Sequence, residues 1–257
     1  MDTDAQHMER DLPSDPADGE EEGSRSTHVP DRSAASVPWG RTVFLGMLCT
    51  AALLLFSAFV VQPFLIPSGS MQPTLRVGDR VLVNKLAYRF GSEPRRGDVV
   101  VFDGTGSFIP ETASGENALG ALLRGAAASL GLAEPAGSDF VKRVVGVGGD
   151  RVVCCDKRGR VEVNGAPLAE EYLHPGDRPS DVAFDIVVPD GKLWVMGDHR
   201  SRSRDSRDHL GEPGGGMVPV ERVIGRADWL GWPFGRLGSL KGTDAFTGVR
   251  PADGAHG

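Results

Sequence analysis

Residues 140–147 read Phe-Val-Lys-Arg-Val-Val-Gly-Val, an apolar, β-branched run that carries two adjacent cations. Such residues favour extended backbone, in which neighbouring side chains point to opposite faces of a sheet. The run therefore predicts a strand that places Lys142 among apolar neighbours and Arg143 on the other face. A solvent-facing lysine on an amphipathic strand is the alternative.

Six similar runs lie on both sides of this segment and are separated by GD, NG, PD and DG turn signals. They are Arg80–Asn84, Asp98–Phe102, Arg151–Cys154, Val161–Asn164, Val182–Val188 and Lys192–Met196. The abundance of glycine (35) and proline (18) also favours short strands over long helices. We expect a mainly β fold, an antiparallel sheet or a barrel, in which residues 103–139 form a loop insertion.

The twenty residues from Thr42 to Val61 (TVFLGMLCTAALLLFSAFVV) contain no charge. As a helix they would be about 30 Å long, the thickness of the hydrocarbon core of a bilayer. A cleaved signal peptide has a shorter apolar stretch behind a basic segment, and a buried core helix of this length without charge is rare. We therefore predict one transmembrane helix over 42–61. Three arginines before it and two after it favour a cytoplasmic N-terminus only weakly.

Both ends of the chain predict flexible segments. Residues 1–40 carry ten Asp and Glu and three Arg, which accounts for the whole net charge of −7. They lack a periodic apolar pattern, so we expect a disordered acidic tail over 1–41. We expect residues 241–257 to be a flexible C-terminal tail. The rest of the chain is balanced in charge, which argues against nucleic acid as a partner.

The three cysteines exclude a disulfide-dense scaffold, and their spacing does not match a zinc site. Cys154 and Cys155 are adjacent, so their Cα atoms are about 3.8 Å apart, closer than the roughly 4.4–6.8 Å of most disulfides. A vicinal disulfide would need a distorted turn. We expect two thiols on opposite faces of a strand.

A candidate nucleophile lies nine residues after the apolar run, in Ile66-Pro-Ser-Gly-Ser70-Met-Gln-Pro-Thr-Leu75. A turn of small residues is the alternative reading of Ser68-Gly-Ser70. A serine needs a base, and the six histidines lie in tails or turn-rich loops without a recognisable triad. Lysine is the other candidate base. Of the five lysines, Lys142 has apolar residues on both sides, where loss of hydration would lower its pKa.

A third segment, residues 197–207, reads GDHRSRSRDSR and follows an apolar strand. A charge run of this kind is usually a solvated loop. Next to a serine and a lysine it would also supply a hydroxyl that orients the amine and an Asp–Arg network that holds the loop.

Five blocks in order after an N-terminal span resemble the type I signal peptidases, the membrane-bound Ser–Lys proteases of bacterial export. The blocks are PFLIPSGSMQPTL, GDRVLVNKLAY, RRGDVVVF, FVKRVVGVGGD and GDHRSRSRDSR, and the resemblance covers roughly residues 62–235. It implies that Ser70 is the nucleophile and Lys142 the general base. It also implies that the Ser68 hydroxyl stabilises the oxyanion and that Ser203 orients the lysine.

The same resemblance implies that the Asp205 carboxylate pairs with Arg143 and Arg207. The family often has Asn-Arg-Asp-Asn after the Gly-Asp pair, whereas residues 199–202 here read His-Arg-Ser-Arg. This departure affects the packing of the loop and leaves Ser70 and Lys142 unchanged.

The implied fold is an antiparallel β catalytic domain over 62–240 with a short β extension near 151–192. The implied reaction is hydrolysis of one peptide bond after a small residue in an exported preprotein, without metal or cofactor. Its partners are the signal peptides of secreted preproteins, the lipid bilayer and a nearby export translocon. The apolar positions that match the substrate pockets are Ile66, Met71, Leu75, Val101, Phe140 and Val141, and core packing is the alternative reading of each.

Two other classes compete with this assignment. A soluble or autoproteolytic repressor-type peptidase shares the Ser–Lys pair, but an apolar anchor and a balanced charge count against it. A non-enzymatic scaffold protein of the same family would lack the nucleophile or the base, and this chain has both Ser70 and Lys142.

The implied function predicts the orientation in the membrane more firmly than the distribution of arginines does. Signal peptides are cut after their passengers emerge, so the single-pass protein should lie in the plasma membrane with residues beyond 62 outside. Protease added to intact spheroplasts should reach this domain, first in loop 103–139, and spare the acidic tail. Cleavage of the tail in intact cells, with the domain accessible only after lysis, would contradict this topology.

Overall fold

The structure, a computed structural model, describes residues 39–110 and 138–251. The predicted acidic tail before residue 39 and residues 111–137 of the predicted insertion lie outside this range. Helix α1 (Trp39–Phe59) covers most of the predicted span. Within the described range it is the one helix long and apolar enough to cross a membrane. Its residues 39–56 have a mean hydropathy of 1.6, and none of them is buried.

The described residues beyond the helix form two antiparallel sheets. The larger has the order β1-β2-β11-β3-β4-β9-β10, and β12 pairs with β11. Its strands are β1 (Val61–Leu65), β2 (Arg80–Asn84), β3 (Val99–Asp103), β4 (Asp139–Val147), β9 (Lys192–Met196), β10 (Val218–Pro219), β11 (Val223–Trp232) and β12 (Gly238–Ser239).

The smaller sheet has the order β7-β6-β5-β8 and is the expected short β extension. Its strands are β5 (Arg151–Cys154), β6 (Val161–Val163), β7 (Ala166–Pro167) and β8 (Phe184–Val187). Three 3-10 turns complete the described elements: Arg200–Arg202, Val220–Arg222 and Phe234–Arg236. The mainly β fold predicted from the sequence is confirmed.

Strand β3 is buried on both faces, which explains its continuous β-branched run. Val99 and Val101 belong to an apolar cluster with residues of β1, β2 and β11. Val100 and Phe102 belong to a second cluster, formed with β4 and β9. Lys142 pairs with Val100 across β3 and β4, and residues opposite each other in an antiparallel pair share a face. The sheet therefore directs this lysine into the interior.

Strand β11 lies between β2 and β3, yet its sequence did not predict a strand. Its buried positions include Gly225 and Ala227, which have little apolar side chain, and charged residues lie between them. Gly225 is required by close approach, because a Cβ there would lie 2.5 Å from the Asn84 carbonyl oxygen. Small residues at these positions allow the neighbouring strand to approach closely, but they produce no alternating hydrophobic pattern in the sequence.

Two expectations differ from the structure. Cys154 and Cys155 form a vicinal disulfide, where we expected two separate thiols. Residues 241–251 lie against the domain, where we expected a free tail. Phe246 and Val249 pack on the apolar cluster around the small sheet, and the Arg250 carbonyl accepts a hydrogen bond from a side-chain amide. Two apolar residues spaced among polar ones were too weak a signal for this packing.

Replacing Phe246 with alanine should lower the free energy of unfolding by about 1–2 kcal/mol, because a partly buried ring loses part of what full burial gives. Thermal unfolding of the detergent-solubilised chain measures this loss. Phe234→Ala is the matched control, because its ring is 72% exposed. Equal unfolding temperatures for Phe246→Ala and the wild type would show that the C-terminal segment adds nothing to stability.

Candidate active site

The Ser70 hydroxyl and the Lys142 amine meet inside the domain. Lys142 lies on β4, and Ser70 lies in the turn-rich segment between β1 and β2. A hydrogen bond of 2.9 Å joins Lys142 Nζ and Ser70 Oγ. The two residues are only 4% and 9% exposed. The fold thus brings together the two residues that the sequence singled out as nucleophile and base.

Burial lowers the pKa of Lys142 from 10.5 to about 8, because the ammonium loses its hydration. The Asp205 carboxylate raises this pKa and the Arg207 guanidinium lowers it, so these two charges partly cancel. The result is an amine that is neutral in a substantial fraction near pH 8. A neutral amine in hydrogen-bond contact with a hydroxyl can act as a general base.

The backbone around Ser70 is held on both sides. The His199 N–H donates to the Ser70 carbonyl over 3.0 Å, and His199 Nδ1 bonds to the Gly69 carbonyl over 3.2 Å. On the other side the Leu75 N–H donates to the Met71 carbonyl over 2.8 Å, and both side chains are buried in the apolar core. The hydroxyl therefore extends from a segment with little freedom to move.

The Ser68 hydroxyl lies next to the nucleophile, with Ser68 Oγ 3.3 Å from Ser70 Oγ. Ser68 is exposed, whereas Ser70 is buried. The Ser68 hydroxyl therefore lies between solvent and the buried Ser70 hydroxyl, where a bound substrate can contact it.

Gly197, at the end of β9, allows Ser203 and the nucleophile segment to approach each other. A Cβ at Gly197 would lie 2.2 Å from Ser203 Oγ and 2.5 Å from the Ser70 carbonyl oxygen. Ser203 Oγ is buried and makes no hydrogen bond of good geometry in the described part of the chain. It nevertheless lies close enough to the Asp205 carboxylate to help lower its pKa.

Asp205 is the buried carboxylate of this loop. It accepts hydrogen bonds from the Gly197 N–H (2.9 Å) and from Arg207 Nε (2.8 Å) and Nη2 (2.9 Å). Burial alone would raise the pKa of Asp205, but the Arg207 guanidinium outweighs this effect and lowers it. The expected pairing of Asp205 with Arg207 is therefore present.

Arg143 pairs with a different carboxylate from the one expected. Its guanidinium donates to Asp198 through Nε (2.8 Å) and Nη2 (2.6 Å), so the expected pair with Asp205 is wrong. Arg143 also donates to the Gly97 carbonyl and lies over the Tyr172 ring, 4.2 Å from its centroid. Lys142 and Arg143 face opposite sides of β4, so Arg143 pairs with Asp198, away from the Asp205–Arg207 pair on the lysine side.

The six apolar positions that were matched to substrate pockets belong to two different apolar clusters in the structure. Ile66, Met71, Leu75 and Val101 are nearly inaccessible members of one core cluster, and Val141 packs against it. Phe140 stacks on Phe102 in another cluster. Their role in binding substrate stays a prediction.

Comparison with known proteins agrees with this geometry. Residues 38–232 match the family described as "Signal peptidase, peptidase S26". The chain is 39% identical to the signal peptidase I of Mycobacterium tuberculosis over 77% of this chain and 74% of the relative. It is 38% identical to the probable signal peptidase I of Mycobacterium leprae (76% and 77%) and 35% identical to that of Leptolyngbya laminosa (82% and 91%).

The chain belongs to the signal peptidase family. It is a hydrolase of the serine peptidase class, as its curated relatives are. Within this signal peptidase, Ser70 bonds to Lys142, and Ser68 lies beside Ser70. The charges of Asp205 and Arg207 act on the lysine, and Ser203 lies next to Asp205.

The sequence did not indicate Asp198, Tyr172 or Glu170, which contact the buried arginines Arg143 and Arg200 near the site. The Asp198 carboxylate also accepts a hydrogen bond from Thr74, and Glu170 forms a buried ion pair with Arg200. The Gly-Asp pair directly after β9 was the available signal for Asp198. Tyr172 and Glu170 lie in an irregular segment, where no local pattern indicates what they contact.

Asp198→Asn should lower the free energy of unfolding by about 3–5 kcal/mol, because it leaves the Arg143 guanidinium buried without its carboxylate. Denaturant unfolding monitored by tryptophan fluorescence measures the loss. Asp185→Asn is the matched control, because its ion pair with Arg151 is about half exposed and should contribute nothing measurable. A similar loss in both variants would contradict the structural role given to the Arg143–Asp198 pair.

Proposed function

We propose that this chain is a membrane-anchored serine endopeptidase that removes signal peptides from exported preproteins through Ser70 and Lys142. The observation that carries the proposal is the 2.9 Å hydrogen bond between a buried lysine and a buried serine hydroxyl. A lysine with a pKa of about 8 supplies the base that a serine nucleophile needs. Relatives named signal peptidase I supply the substrate class.

The first half of the reaction forms an acyl-enzyme. Neutral Lys142 accepts the proton of Ser70 as Oγ attacks the scissile carbonyl carbon, which gives a tetrahedral oxyanion. The Lys142 ammonium then protonates the leaving amine, the C–N bond breaks, and the mature protein departs. The signal peptide remains as an ester on Ser70 Oγ.

The second half repeats the sequence with water. Neutral Lys142 accepts a proton from water, the resulting hydroxide attacks the ester carbonyl, and the ammonium returns the proton to Ser70 Oγ as the ester breaks. The enzyme is restored without net gain or loss of a proton at the dyad. The buried Ser203 hydroxyl, which packs against Gly197 next to the Ser70 segment, is assigned the orienting role in both halves by family resemblance.

Ser68 serves as an oxyanion donor together with the Ser70 N–H. Its hydroxyl is 3.3 Å from the attacking oxygen, so rotation about one side-chain bond turns it toward an oxyanion bonded next to Ser70 Oγ. Removal of one such donor typically costs about 3–4 kcal/mol of transition-state stabilisation. The small residue expected before the scissile bond fits an approach past Ser68 and Gly69.

Helix α1 anchors the enzyme in the plasma membrane, with the β domain on the extracytoplasmic side. Ser70 follows Val61 by nine residues, which reach at most about 32 Å when fully extended. The active site therefore stays close to the bilayer surface, where a signal peptide held in the lipid presents its cleavage site. Proximity to the export translocon follows from the same topology.

Ser70→Ala and Lys142→Ala should each abolish cleavage of a preprotein, with the thermal unfolding of both variants still cooperative. Lys142→Arg should fail as well, because a guanidinium does not lose its proton in this pH range. A gel assay on a purified preprotein measures the loss.

Lys85→Ala is the matched control for these variants. Lys85 is partly buried with a lowered pKa, but its Nζ donates to the Gln62 side chain, and within the described residues it bonds to no serine. It should retain cleavage. Full activity in Ser70→Ala or Lys142→Ala would end the Ser–Lys assignment.

The pH dependence of kcat/KM should report the Lys142 pKa in the free enzyme. Since the neutral amine is the active form, kcat/KM should rise with pH through an acid limb centred near pH 8. The profile is measured with a soluble peptide substrate that has no titratable group in this range. An acid limb near pH 6.5, as for a histidine base, would contradict lysine as the base.

A further inference from the structure

Three side chains of the types that ligate metals lie close together, next to the nucleophile segment. His174 and Asp177 come from one turn between β7 and β8, in which the Asp177 N–H donates to the His174 carbonyl. His199 comes from the loop after β9, and its backbone holds Ser70. One donor atom from each of these three side chains lies within 4.8 Å of the others. The reaction proposed above uses none of these side chains.

The His199 ring has the tautomer that a metal ligand requires. Its Nδ1 lies 3.2 Å from the Gly69 carbonyl oxygen, which can only accept a hydrogen bond, so Nδ1 carries the proton. The lone pair is therefore on Nε2. Histidines that bind metals almost always donate their other ring N–H to a carbonyl or carboxylate in this way.

The Asp177 carboxylate is oriented by the same loop. It accepts hydrogen bonds from the Ser201 N–H (3.1 Å) and the Ser201 hydroxyl (2.8 Å). A carboxylate has about four lone-pair sites, so these two bonds leave capacity for an ion. His199 and Ser201 lie in the part of this loop that departs from the Asn-Arg-Asp-Asn pattern.

Metal binding requires one movement. The His174 and His199 rings are stacked, with centroids 3.8 Å apart and planes 5° apart. Parallel rings cannot both direct their in-plane lone pairs at one ion. His199 is buried and tied to Gly69, whereas His174 is only partly buried, so His174 is the ring that rotates. Tetrahedral bonds of about 2.1 Å then bring the donor atoms to about 3.4 Å from one another.

We propose that His174, Asp177 and His199 bind one Zn²⁺ or similar divalent transition-metal ion, with a fourth position open to water. Two imidazoles and one carboxylate are a ligand set that suits zinc, whereas magnesium and calcium prefer oxygen ligands alone. No metal site was expected from the sequence, because the spacing of the cysteines does not match a zinc site. The two histidines are 25 positions apart, and only the fold brings them together.

The ion inhibits the peptidase. After the His174 ring has turned, the donor atoms must still close from as much as 4.8 Å to about 3.4 Å, which draws His199 toward the ion. His199 holds Gly69 through its ring Nδ1 and Ser70 through its backbone N–H, so this smaller shift displaces the backbone that presents the nucleophile. A displacement of about 1 Å at a reacting group lowers a rate by about 100-fold. A saturating ion should therefore slow cleavage by at least about tenfold.

Calorimetric titration of the full-length, untagged protein in detergent with ZnCl₂ tests the site without using activity. The wild type should bind one equivalent. Asp177→Asn and His174→Gln should each weaken binding by about tenfold or more, and Ser201→Ala, which removes only the support of the carboxylate, should weaken it by about tenfold. Glu212→Gln is the matched control, because Glu212 and His209 form a second histidine–carboxylate pair to which the described part of the chain adds no third ligand.

Cleavage of a preprotein with and without ZnCl₂ tests the inhibition, expressed for each variant as the ratio of the two rates. The ratio should fall in the wild type and in Glu212→Gln and stay near one in Asp177→Asn. The site is refuted if the wild type takes up no stoichiometric zinc or if Glu212→Gln weakens binding as much as Asp177→Asn. Binding by the wild type without a slower rate would refute the inhibition.

Discussion

The arrangement of the site depends on the burial of one amine, that of Lys142, in the interior of the β domain. Lys142 lies on a strand whose neighbours β3 and β9 are apolar, and its burial lowers its pKa from 10.5 to about 8. That shift corresponds to about 3 kcal/mol against the charged form. The folded protein therefore binds fewer protons than the unfolded chain between pH 8 and 10.5, and this group's contribution to stability rises with pH across that window.

Two separate carboxylates keep this sheet in place. On the lysine side, Asp205 ties the loop after β9 to Arg207 and moderates the desolvation of the amine. On the opposite side, Asp198 neutralises Arg143, which would otherwise be a buried cation without a partner. Two carboxylates from the same short loop thus act on adjacent residues of one strand, Asp198 as the partner of Arg143 and Asp205 as a nearby charge for Lys142. This arrangement explains why so many charges are concentrated in a loop that looks solvated in the sequence.

Patterns within a few residues predicted most of the fold and the dyad. The β-branched runs predicted strands, and Lys142 stood out because its neighbours are apolar. Features that arise only when distant segments meet could not be predicted. One is strand β11, whose buried positions include Gly225 and Ala227. Another is the partner of Arg143, which family resemblance assigned to Asp205. The histidine cluster next to the Ser70 segment belongs to the same group, since its members are far apart along the chain.

The central claim, that Lys142 is a base tuned by burial, can be measured directly. The chain has five lysines, so uniform ¹³Cε labelling gives five resonances, and Lys142→Arg identifies the one of interest. NMR titration of the full chain in detergent should show this resonance titrating near pH 8, well below the 10.5 of an ordinary lysine. A Lys142 resonance that titrates near pH 10.5 would contradict the account.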